Sequence, residues 1–264
     1  MSALHGVDQK IRRARALLSD LTESIGSALS EHPQRFAFDS EPQDGEYVMR
    51  VFDVPVIDTE WRLVIGEILY NLRSALDQLA WQLIILAGKQ PNERTQFPIR
   101  DTPFNDAGDL VGAELRPTIH HAGIRAAVEE VQPYRGVQGE PHPFNLSPLW
   151  KLHRLNIIDK HRLLLVVASV FSWDEMWYGW NDSYGTNPRI RVNLGPLKDS
   201  APVAWFTFNG DPPPNFDPHP SLHVSLYEGE MPDLIDKSIT DVLETLCWWV
   251  ENHIVEWRFR PLFP

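Results

Sequence analysis

A single cysteine, Cys247, stands in 264 residues, so no internal disulfide can form and no Cys-rich zinc site can be built. Long hydrophobic runs are missing as well. The longest, 79–87 and 163–171, are about half of the ~18 residues that a membrane-spanning helix needs. The polar, basic segment 1–15 has no apolar stretch behind it, so no secretory signal is expected there. Basic side chains are in deficit, 24 Lys and Arg against 36 Asp and Glu, for a net charge of −12. That balance argues against a broad, non-specific nucleic-acid coat but leaves room for a local basic site. Common catalytic signatures are absent too: no Gly-rich phosphate loop, no HExxH, no paired CxxC, no nucleophile elbow. The expectation is a cytoplasmic protein in a reducing compartment, away from the membrane, with no metal and no organic cofactor.

What is present is strong periodicity. Apolar residues at Ile11, Ala14, Leu18, Leu21, Ile25 and Leu29 predict an amphipathic helix over 7–31. Lys10, Arg12, Arg13 and Arg15 crowd its first half. Two short runs around Pro42–Gly45 predict a β-hairpin over 36–55. A longer helix is predicted over 58–87, striped by Ile65, Ile68, Leu69, Leu72, Leu76, Leu79 and Leu83 and stopped by Gly88. Pro148 opens another over 148–163, and Ile235 to Trp257 mark a last one over 232–258. Between these two, β-branched and aromatic runs predict three or four antiparallel strands over 164–228. No linker, repeat or low-complexity tract interrupts the chain. The predicted fold is therefore one α+β domain, 1–264, in which a helical bundle carries a small antiparallel sheet.

Two segments carry chemistry. In the first, Asn71-Leu-Arg-Ser-Ala-Leu-Asp77, helical spacing sets Arg73 and Asp77 side by side at the edge of the apolar stripe. The second runs from Trp150 to Arg162. It holds Lys151, Arg154, Lys160 and Arg162 against Asp159 alone, a local +3. Arg154 and His161 are seven apart, about 20° short of two turns, and so share a face. Asn156 and Asp159 point with the leucines instead, and a buried ionised Asp needs a partner, for which Arg73 or Arg162 could serve. One interpretation is a structural polar network of Asn71, Arg73, Asp77, Asn156, Asp159 and Arg162 that clamps two helices in register. The other is a cleft in which Arg154 and Lys160 hold a phosphate and His161 moves a proton. His219 and His223 are four apart but flanked by prolines, a poor metal pair. Cys247 beside Trp248 is expected to pack as a small hydrophobe.

The same segments carry a resemblance. The run from Gly66 through Leu79, then Gln96-Phe-Pro-Ile99, then Ile158-Asp-Lys-His-Arg162, resembles a family of bacterial and phage proteins of uncharacterised activity, over roughly residues 8 to 170. Arg154 followed by His161 is also similar to the Arg-and-His signature of HEPN-type domains, helical bundles that often act as metal-independent RNases across a dimer. Leu155 stands where a polar residue commonly follows that Arg. The resemblance implies attack of a 2′-hydroxyl on the adjacent phosphate, with His161 as general base or acid. Arg154 and Lys160 would stabilise the developing charge. It also implies a homodimer acting on RNA without a cofactor, and the stripe of the first helix would suit a partner copy. The alternative expectation is a non-catalytic binding or assembly protein. Its polar cluster would be scaffolding, and Trp173, Trp177, Trp180 and Trp205 would form a ligand or partner surface.

Overall fold

Helix α1 (His5–Glu31) and helix α2 (Thr59–Leu86) form where apolar residues recur at three and four. Between them lies a hairpin of β1 (Arg35–Phe38) and β2 (Tyr47–Phe52). Asp44 and Gly45 at its tip both have positive φ, 52° and 81°, the backbone that a two-residue turn between twisted strands requires. Gly88 ends α2 with φ 72°, and the Lys89 N–H reaches back to the Ile84 carbonyl at 3.0 Å. Then follow α3 (Ala122–Glu130), α4 (Pro148–His161), β3 (Val166–Val170), β4 (Arg189–Val192), β5 (Pro202–Thr207), β6 (Leu222–Leu226) and α5 (Ile239–Trp248). The computed structural model describes residues 2–39, 41–102, 113–118, 120–135, 144–170, 189–193, 195–208, 220, 222–229, 231–234 and 237–264. The protein is thus mixed helix and antiparallel sheet, an α+β chain. Among the described residues no helix is long and apolar enough to cross a membrane.

The chain divides into two compact units. The first comprises Met1–Leu21, Glu60–Leu164 and Leu243–Pro264; the second comprises Thr22–Thr59 and Leu165–Val242. Each unit is assembled from separate stretches of chain, so no linker marks the division. The first is helical, built around α2, of which Ile65, Ile68, Leu69, Leu72, Leu76, Leu79 and Leu83 are completely buried. Leu149, Leu152 and Leu155 of α4 are equally buried. The stripe of α1, from Val7 to Ile25, is buried within the chain and so is not left over for a second copy.

The second unit holds two sheets where one was expected. Strands run β1-β2-β5-β4 in the first, all antiparallel, while β3 and β6 pair alone. Burial separates them. Strands β2 and β5 are buried in part, each with two adjacent buried residues near its start, and Met49, Val51, Val203 and Phe206 lie inside. Strand β6 is buried at every position, as a strand covered on both faces must be. Its polar residues are matched locally: the Ser169 and Ser225 hydroxyls share a hydrogen bond of 2.6 Å, and the Glu228 carboxylate accepts from the Leu165 N–H at 2.9 Å.

The last helix departs most from expectation. Beyond Trp248 it widens into a π-helix, Trp249–Phe259. Its buried residues are Val250, Ile254, Val255 and Phe259, a spacing of four, five and nine that suits the wider i→i+5 turn. Trp257, which an ordinary helical period places on the apolar face, is 56% exposed. Ring contacts accompany the widening: Trp249 stacks on His253 at 3.9 Å and Trp248 meets Trp257 edge-on at 5.3 Å.

Candidate functional site

The site is assembled within the helical unit, beginning with a backbone clamp. Arg73 on α2 is 7% exposed. Its Nη2 lies 2.9 Å from Asp77 Oδ1, one turn further along, and donates to the Phe97 carbonyl at 2.8 Å. The Phe97 N–H in turn donates to Asp77 Oδ1 at 2.9 Å. One i,i+4 ion pair therefore satisfies both backbone groups of a residue in the loop 89–102. The Phe97 ring is buried and meets Phe259 edge-on at 5.7 Å. Gln132 continues the fastening. Its Nε2 donates to the Pro98 carbonyl at 3.1 Å, and its Oε1 accepts from the Arg100 N–H at 3.0 Å. The Gln96-Phe-Pro-Ile99 segment is thus a strap tied to two helices, and Arg100 is held at its end.

Beside the strap, α4 presents His153 and Lys160, seven residues apart and so on one face. His153 was not singled out by the sequence. It is half-buried, and its imidazole pKa is lowered to about 4, first by burial and then by the charges of Arg73, Lys160, Arg154 and Arg100. Burial raises the Asp77 carboxyl above its ordinary value, an effect that Arg73, the Phe97 N–H and Lys160 oppose. Cations from α2, the strap and α4 therefore act on a histidine that is uncharged at neutral pH. A shifted histidine beside a shifted carboxyl marks a candidate functional site.

The other nominated residues fall elsewhere. His161 is the last residue of α4 and is exposed; Arg154, on the same side, is half-buried. Arg162 is exposed, with Nη1 at 3.4 Å from the neighbouring Leu163 carbonyl. Asn156 is buried on the core side of α4. Asn71 is tied to α1, not α4: its Oδ1 accepts from Lys10 Nζ at 3.3 Å and its amide donates to the Glu67 carbonyl at 2.8 Å. The expected hydrogen-bonded clamp between α2 and α4 is thus replaced by separate contacts. Arg73 serves Asp77 and Phe97 instead of Asp159. Among the basic residues of α1, Arg15 binds Glu244 and Glu251, while Arg12 and Arg13 are exposed.

Asp159 lies over Gly66 of α2. A Cβ built at Gly66 would fall 2.5 Å from Asp159 Oδ2 and 2.7 Å from its carboxyl carbon. The Asp159 carboxylate therefore occupies the space that a side chain at position 66 would take, and would have to shift to admit one. Burial alone raises the Asp159 carboxyl. Gly66→Ala is expected to cost about 1–3 kcal/mol through overpacking, and Asp159→Ala in the same chain should restore most of it. Urea unfolding of the two variants measures this; a neutral Gly66→Ala would contradict the packing described.

Remaining candidates are quickly placed. Burial pushes the Cys247 thiol up to about 12, which suits a packing residue and not a nucleophile. His121 caps α3, its Nδ1 accepting from the Ile124 N–H at 3.2 Å. His223 is buried on β6, while His219 lies outside the described residues. Trp205 on β5 packs under the Arg191 guanidinium at 4.0 Å; Trp173, Trp177 and Trp180 lie outside the described residues. No protein-family model matches the chain, nor does any curated protein or solved structure.

Proposed function

We propose that the chain is a metal-independent ribonuclease of HEPN-like kind, with His153 taking the acid–base role that the resemblance assigns to His161. The observation that carries this reading is a half-buried His153 whose imidazole is kept uncharged first by burial and then by the charges of Arg73, Lys160, Arg154 and Arg100. A site of that charge favours a phosphate. The phosphate's own charge offsets the cations and makes the imidazole more basic. A 2′-hydroxyl then attacks the adjacent phosphorus and its proton passes to the imidazole. The P–O5′ bond breaks, and the leaving oxygen takes the proton back from the imidazolium, which leaves a 2′,3′-cyclic phosphate and a free 5′-hydroxyl. Arg154 and Lys160 stabilise charge on the non-bridging oxygens. Arg73 and Asp77 act as positioning residues, since their contacts hold the strap that carries Arg100. A homodimer acting on RNA remains part of the proposal.

Incubation of the purified protein with single-stranded RNA in the presence of a chelator tests it. Native protein should cleave. Arg154→Ala and Lys160→Ala, checked for unchanged folding by circular dichroism, should each lose roughly 10²-fold in rate. Absence of cleavage by the native chain, or equal cleavage by all three proteins, would remove the reading.

A further inference from the structure

Helix α2 buries most of its circumference, yet one face of it stays open. On that face Leu63, Tyr70, Trp81 and Ile85 are 46%, 55%, 42% and 48% exposed. At 100° per residue these four, with Glu67, Ser74 and Gln78, fall within about 40° of the direction of Ser74. The steps between them are four, three and four on each side of Ser74. An eleven-residue repeat, here Leu63 to Ser74 to Ile85, keeps such a stripe nearly straight along the helix axis. Both edges of the stripe are already occupied. On one, Lys10 of α1 lies over the Tyr70 ring at 5.3 Å and Gly6 lies against the Gln78 amide. On the other, Asp77 fastens the strap and Gly66 meets Asp159. The apolar side chains between these neighbours remain exposed all the same. Half of two aromatic side chains of ~150–250 Å² each is on the order of 200 Å². Leu63 and Ile85 enlarge it toward the few hundred Å² that mark a contact surface.

We infer that this stripe is the contact surface for a second copy of the chain, whose α2 lies antiparallel to the first about a two-fold axis at Ser74. The order of residues carries the choice of occupant, because the stripe is complementary to itself. A two-fold axis at Ser74 sets Leu63 opposite Ile85 of the second copy, Glu67 opposite Trp81, Tyr70 opposite Gln78 and Ser74 opposite Ser74. No like charges meet, since Glu67, the single charge on the stripe, faces an indole. A parallel pairing would instead set Glu67 against Glu67. The smallest side chain stands at the axis, where the two helices come closest. A patch of this size belongs to the weak class of interfaces, below ~1,200 Å² in total, so the pair is reversible and depends on concentration. The stripe gives the homodimer of the ribonuclease reading a surface, but it stands on exposure and residue order and is independent of that activity.

Sedimentation velocity of the full chain over roughly 1–100 µM tests for the pair. It is run at about 0.15 M salt, where repulsion between two chains of −12 is screened beyond ~8 Å. The fraction of dimer should rise across that range. Ser74→Cys and Glu67→Cys, each checked for unchanged folding by circular dichroism, test the register under mild oxidation. Helix axes ~8–10 Å apart bring the two Ser74 positions within reach of a disulfide. The two Glu67 positions lie seven residues to either side of the axis, ~21 Å apart. Ser74→Cys should therefore form a covalent dimer and Glu67→Cys should not; the native chain, whose Cys247 is buried, is the control. Trp81→Glu sets carboxylates face to face and should weaken the dimer about tenfold or more. A monomer throughout the concentration range would overturn the inference. So would a dimer in which Ser74→Cys fails to cross-link, Glu67→Cys cross-links as well, or Trp81→Glu has no effect. None of these measurements involves RNA, so failure of the interface and failure of the ribonuclease reading are told apart.

Discussion

Arg73→Ala is expected to destabilise the protein by about 1–3 kcal/mol, the cost of leaving buried polar groups without a partner where the pair is buried on the Arg73 side and partly exposed at Asp77. The loss has three physical parts. Asp77 is left half-buried without its counter-charge, the Phe97 carbonyl loses its donor, and the strap that seats Phe97 against Phe259 loses one of its fastenings. Asp77→Asn should also destabilise the protein, because an amide oxygen can still accept from the Phe97 N–H but leaves the buried Arg73 guanidinium without its counter-charge. It should also alter the response to pH. Burial raises the Asp77 carboxyl above its unfolded value, so ionising it costs stability as pH rises from the ordinary carboxylate range through the folded value. The amide removes that dependence. Urea unfolding at neutral and acid pH reads both effects, and a loss below about 1 kcal/mol in Arg73→Ala would contradict the clamp.

His153→Ala is expected to lower RNA cleavage by about 10²–10⁴-fold, the contribution of a general acid–base group. His161→Ala should leave the rate near that of the native chain. The two histidines differ in surroundings, not in residue type. His153 is half-buried among cations that a bound phosphate would balance, whereas His161 is exposed at the end of α4. Single-turnover rates at saturating RNA separate this effect from binding. The reverse ranking would return the acid–base role to His161 and to the pair first suggested by spacing.

Much of the fold was legible because burial follows period. The stripes of α1, α2 and α4 and the apolar runs of β2 and β5 were all visible as residue patterns. Trp257 was misplaced because the pattern was read at an ordinary helical period. The spacing of Val250, Ile254, Val255 and Phe259 is a signal that could have suggested the π-helix. The site was legible in part for a different reason. On α4 the pairs Arg154/His161 and His153/Lys160 have the same seven-residue spacing, so helical geometry alone cannot choose between them. What favours His153 is brought from elsewhere, Arg73 from α2 and Arg100 from the strap. Arg73 and Asp77 were read correctly as neighbours, but their target, the backbone of Phe97, lies about twenty residues on in a loop with no periodicity to reveal it.

The central claim is that burial, and then the charges of Arg73, Lys160, Arg154 and Arg100, keep the His153 imidazole uncharged, and its titration tests that most directly. An NMR titration of the histidine side chains in the free protein, with His153 assigned by its absence from His153→Gln, should give a midpoint of about 4. An ordinary histidine titrates near 6.5. Because the folded value is the lower one, His153 contributes stability that is complete above about 6.5 and is lost as pH falls toward 4. Partial exposure limits that loss to roughly 1–2 kcal/mol. A midpoint at or above 6.5 would mean that the cations do not act on His153, and the proposed phosphate site would lose its basis.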